Sequence, residues 1–69
     1  MSALLNNKIN TLARVLKNTK EVAFHHNRFH YEIFESSSGE YEVNVYAGSE
    51  LIDGGICSGS TRDAVEFML

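Results

Sequence analysis

Between Phe29 and Cys57 the chain alternates apolar and polar residues with a period of two. Phe29, Tyr31 and Ile33 fall on one side of a strand, with His30, Glu32 and Phe34 on the other. Tyr41, Val43 and Val45 repeat the pattern against Glu42, Asn44 and Tyr46. Leu51 to Cys57 reads as a further strand with Ile52 and Ile56 on one side. Period-two patterns rich in β-branched and aromatic residues are strand signals, because successive side chains leave a strand on opposite faces. Such segments joined by short glycine-bearing turns fold into an antiparallel meander and little else.

The turns set a register. Ser37, Ser38 and Gly39 suit a three-residue hairpin loop, which pairs Ser36 with Glu40, Ile33 with Val43 and Tyr31 with Val45. Gly48 and Ser49 suit a two-residue turn with glycine first, which pairs Val45 with Ile52 and Tyr41 with Ile56. Both turns keep the apolar sets on one face, and a slip of one residue would not. Gly54 and Gly55 mark a bulge or a close approach of backbone.

Helices flank these strands. Leu5, Ile9, Leu12 and Leu16 recur at helical spacing, so Ser2 to Lys17 reads as an amphipathic helix. Ser2 is its expected N-cap and Asn18 its stop. Glu21 to His26 is a short extra strand candidate. Ser60 and Asp63 have the spacing of a capping box, and open a last helix whose Ala64, Val65, Phe67, Met68 and Leu69 need burial. The expectation is one α+β domain over residues 1–69, in the order α-β-β-β-α or with a fourth strand. Both helices cover one sheet face. A chain of this length buries only about 60% of its unfolded surface, so its core is marginal and leaves no room for a deep cleft.

The other face is then the candidate site. It is expected to carry His30, Glu32 and Phe34, then Glu42, Asn44 and Tyr46, then Leu51, Asp53 and Cys57. Asn44 is expected opposite Asp53, and Tyr46 opposite Leu51. Charge is divided along the chain. Up to Arg28 five bases stand against one acid, a balance of +4. From Phe29 onward eight acids stand against Arg62 alone, a balance of −7, and no lysine or arginine occurs between Phe29 and Thr61. Aromatic side chains rimmed by carboxylates suit a partner with a basic surface. Glu32, Phe34, Glu42, Asn44, Tyr46 and Asp53 are the expected contact residues.

Catalytic and metal chemistry find little support. His25 and His26 are adjacent and point to opposite strand faces, so at most one can join His30, and no zinc spacing is present. Cys57 has no orienting third group for a thiol–imidazole pair, and Glu32 with Glu42 lacks a pocket. The glycines before the last helix lack a phosphate-loop lysine. No enzyme activity, metal or cofactor is expected. A single cysteine cannot form an internal disulfide and points to a reducing compartment, hence the cytoplasm. No signal peptide and no membrane span are expected. A symmetric dimer is expected to bury the apolar C-terminal residues.

The α-β-β-β-α order resembles that of the double-stranded-RNA-binding domain. The resemblance covers the order of elements only. That family grips phosphates with a lysine cluster at the start of its last helix, whereas Ser58 to Asp63 here offers Arg62 alone. In size and charge the chain is similar to small phage-encoded inhibitors of the anti-CRISPR or anti-restriction type. Two functions therefore stand as expectations. One is a non-catalytic module whose acidic face occupies a basic surface of a nucleic-acid-handling complex, with no contact to nucleic acid. The alternative is weak nucleic-acid binding through Lys8, Arg14 and Lys17 on the first helix.

Overall fold

The computed structural model describes residues 6–69. The expected Ser2 cap, Leu4 and Leu5 lie outside the described residues. The order is α1 (Asn6–Thr19), β1 (Glu21–His26), β2 (Phe29–Ser37), β3 (Glu40–Ala47), β4 (Glu50–Ser58) and α2 (Thr61–Glu66). The four strands form one open antiparallel sheet in the order β1-β2-β3-β4. The fourth strand is therefore present, and the chain has one strand more than the α-β-β-β-α order it was compared with.

Each connection has a local cause. α1 runs two residues past Lys17 and ends where Lys20 adopts φ 70°, its N–H donating to the Leu16 carbonyl at 2.8 Å. This is the left-handed C-terminal cap, with lysine where glycine is usual. Asn27 and Arg28 both have positive φ and close the β1–β2 hairpin as a type I′ turn. Arginine in the second position hid that turn from the sequence, since glycine is its usual marker. Gly39 and Gly48 take the left-handed conformations expected of them. Ser60 caps α2: its Oγ accepts from the Asp63 N–H, and the Asp63 carboxylate accepts from the Ser60 N–H.

Both helices pack on the inner sheet face. Ile9, Ala13 and Leu16 of α1 and Ala64 and Val65 of α2 meet Phe24, Tyr31, Ile33, Tyr41, Val43 and Val45. Leu12, Phe29 and Met68 are partly buried against this core. Arg62 ties the helices together, donating to Asn10 Oδ1 at 2.6 Å and Asn6 Oδ1 at 2.7 Å. The only base of the acidic half is thus held by α1 and by Glu66, 3.3 Å from its Nε.

The register follows expectation through β2 and β3, with Ile33 opposite Val43 and Tyr31 opposite Val45. Next to the turn, Glu40 pairs with Ser37 rather than Ser36. In β4 the expectation fails. Leu51 faces Tyr46, but Val45 faces Asp53 instead of Ile52, and Tyr41 faces Cys57 instead of Ile56. An extra residue at Ile52 makes a β-bulge, which turns every later side chain to the other face. Ile52 and Ile56, expected in the core, are 47% and 51% exposed. Cys57, expected on the outer face, is buried in the core. Asn44 faces Gly54, so Asp53 is not on the outer face.

The glycine pair sits under the C-terminal residues. A Cβ on Gly55 would come within 3.0 Å of the Phe67 ring and 3.1 Å of the Met68 methyl. The residues after α2 therefore lie so close to β4 that any side chain opposite Val43 would have to displace Phe67 and Met68. The straight register would set Gly54 there and the bulged register sets Gly55, so both meet that demand. The choice falls elsewhere. Opposite Tyr41 the position is buried in the core, where a thiol needs less volume than a branched isoleucine. Opposite Val45 the inner face is open enough to leave Asp53 exposed.

Candidate functional site: the uncovered sheet face

Pairing across the four strands arranges the outer face in three rows. Glu21, Phe34, Glu42 and Ile56 form one, Ala23, Glu32, Asn44 and Gly54 the next, and His25, His30, Tyr46 and Leu51 the third. Neither helix packs on this side. Of the expected contact residues, Glu32, Phe34, Glu42, Asn44 and Tyr46 are brought together. Asp53 is turned to the inner side, where its carboxylate accepts from the Gly54 N–H at 2.8 Å.

The middle of the face is a small polar network. Asn44 donates from Nδ2 to Glu42 at 3.1 Å, and its Oδ1 lies 2.9 Å from where a Cβ on Gly54 would fall. His30 Nε2 lies 3.1 Å from Glu32 Oε2, while His30 Nδ1 is buried without a partner. The proton therefore belongs on Nε2, where it is donated to the carboxylate. The His30 ring packs against His25, centroids 4.6 Å apart, and against Tyr46 at 6.0 Å.

Around this network stand exposed apolar side chains. Phe34 is 39% exposed on β2, and Leu51 is 56% exposed on β4 beside Ile52 and Ile56. Sequence reasoning missed the two isoleucines because their spacing reads as core. The glycine pair signals a bulge or a close approach; the approach is at Gly55, but the bulge falls at Ile52, which carries no mark of its own. A run of large apolar residues on one open face is a common mark of an interaction surface. The surface holds no lysine or arginine among the described residues. Lys8, Arg14 and Lys17 are exposed on α1, on the other side of the molecule.

Among the described residues no three of His, Cys, Asp and Glu converge in a metal-binding arrangement. His25 and His30 are neighbours, but His26 pairs with Phe29 on the inner side, and Cys57 is in the core. Burial, with a smaller contribution from the Asp63 carboxylate, pushes the Cys57 thiol above its ordinary value of 9.0. A raised folded value means that the unfolded chain loses this proton first. Stability is therefore intact below pH 9.0 and falls as pH rises past it. Urea midpoints measured on both sides of that pH should drop in the native chain and drop less in Cys57→Ala. An equal drop in both would assign the loss to other groups.

Comparison with protein-family models, curated proteins and solved structures finds no match. The reading of the face rests on its own chemistry. Among the described residues no helix is long and apolar enough to cross a membrane.

Proposed function

We propose that this chain is a non-catalytic interaction module whose uncovered sheet face docks on a basic protein surface. The observation that carries the reading is the company of exposed apolar side chains and glutamates on a helix-free face without lysine or arginine. Phe34, Tyr46, Leu51 and Ile56 supply contact area, and Asn44 holds Glu42 in place. Glu21, Glu32 and Glu42 supply the charge that steers a basic partner in. Asp53 adds to the field and not to the contact. Many basic protein surfaces exist to hold nucleic acid. A small acidic domain seated on one acts as a competitive inhibitor by charge mimicry, in the manner of phage anti-CRISPR or anti-restriction proteins. A single buried thiol suits a reducing compartment, and the cytoplasm is the compartment that goes with this reading.

The test is capture of partners from the native host, followed by binding kinetics with the purified partner. Glu32→Lys with Glu42→Lys should slow association and flatten its salt dependence. Tyr46→Ala should weaken binding by about 2 kcal/mol, mostly through faster dissociation, as a central aromatic anchor does. Lys8→Glu with Arg14→Glu on α1 should leave binding intact. The partner's own nucleic-acid binding should be competed away. Loss with the helix changes and indifference to the sheet changes would overturn the reading. It would assign the work to α1 as a weak, salt-sensitive nucleic-acid contact, measurable by titration at low salt.

A further inference from the structure

One donor atom on the outer face has no use within the fold. His30 Nδ1 is buried and bonds to no other group. The other ring nitrogen, Nε2, lies 3.1 Å from Glu32 Oε2 and carries the proton. A neutral imidazole in this tautomer keeps its free lone pair on Nδ1. Buried polar atoms are nearly always satisfied, so a lone pair left over in this way points to a ligand or an ion.

The surroundings suit an ion. His25 stands directly opposite His30, and the two rings lie 4.6 Å apart, centre to centre, at an angle of 50°. Two imidazoles bound to one metal ion at about 2.0–2.1 Å hold their ring centres roughly 4.5–5.2 Å apart. The pair is therefore already spaced for shared ligation. His25 is exposed, so its ring can turn to admit an ion. Glu21, Glu32 and Glu42 lie on the same face and give it a potential that draws cations.

Glu32 supplies the remaining part. A histidine that ligates a metal commonly donates its other N–H to a carboxylate, which fixes the tautomer and raises the basicity of the ligating nitrogen. His30 has that carboxylate in place.

We infer that His25 and His30 form a two-histidine site for a divalent late-transition-metal ion such as zinc, with His30 ligating through Nδ1 and Glu32 positioning its ring. Imidazole nitrogen is a favoured donor for zinc, copper and nickel. Two protein donors leave the other coordination positions to water, so the site is open, unlike the closed four-ligand sites that hold folds together.

Zinc titration of the purified chain, read by calorimetry and by imidazole nitrogen NMR, tests the site. Zn2+ should bind at a single site, and about tenfold or more tighter than to His25→Gln or His30→Gln, because either change leaves one donor in place of a chelate. His26→Gln should bind as the native chain does, since His26 pairs with Phe29 on the inner side. The spectra should place the metal on His30 Nδ1 with the proton still on Nε2. Glu32→Ala should weaken binding about tenfold. It should also mix the two His30 tautomers in the metal-free spectrum, which a loss of packing alone would not do. Circular dichroism checks that each variant is folded. Equal binding by the native chain, His25→Gln and His30→Gln would overturn the site. So would metal on His30 Nε2, loss of binding with His26→Gln, or no binding by the native chain. The titration needs no partner, so its failure leaves the docking reading standing, and failure of docking leaves the site standing.

Discussion

Leu16→Ala should cost about 2–5 kcal/mol of folding stability, a large share of what a domain this small has. Leu16 is fully buried in the core, on the sheet-facing side of α1. Its carbonyl also accepts the Lys20 N–H that ends the helix. Truncation removes buried methyl and methylene groups, and a sheet braced by three hairpins cannot relax far into the space. The backbone cap survives, so the loss belongs to packing. Urea unfolding followed by circular dichroism would measure it, with Leu12→Ala as comparison. Leu12 is only partly buried and should cost less. A Leu16→Ala variant within about 1 kcal/mol of the native chain would mean that α1 does not anchor the core.

The second large effect tests the bulge in β4. Cys57→Asp should destabilise the fold by about 3–5 kcal/mol, because it buries a carboxylate with no partner. Asp63, already close enough to raise the Cys57 thiol, would add repulsion. Ile56→Asp should change stability by no more than about 0.5 kcal/mol, because its side chain stands in solvent. The straight register reverses the order, with Ile56 in the core and Cys57 outside, so one pair of neighbouring substitutions separates the two. Melts should be run dilute, so that self-association does not enter. Equal costs at the two positions would contradict the bulged ladder.

The alternation of Tyr31, Ile33, Val43 and Val45 and the glycines at 39 and 48 were enough to place β2 and β3 in register. Hydrophobic period and turn chemistry act locally, and there they agree. The stripe of Ile9, Leu12 and Leu16 and the Ser60–Asp63 cap were legible for the same reason. Most of the candidate face followed, since Glu32, Phe34, Glu42, Asn44 and Tyr46 lie on those two strands. The edge strand was different. Gly54 and Gly55 fit beneath Phe67 and Met68 in either register, so nothing local to β4 tells the two apart. Packing on the buried side of the sheet made the choice. The bulge puts the small thiol of Cys57 in the core, exposes Ile52 and Ile56 and turns Asp53 away. The sequence by itself determined a helix-flanked meander with one acidic, cation-free face, because period, turns and charge are written residue by residue. The tertiary structure alone decided which residues of β4 reach that face, because a strand's register answers to the volume available on its buried side.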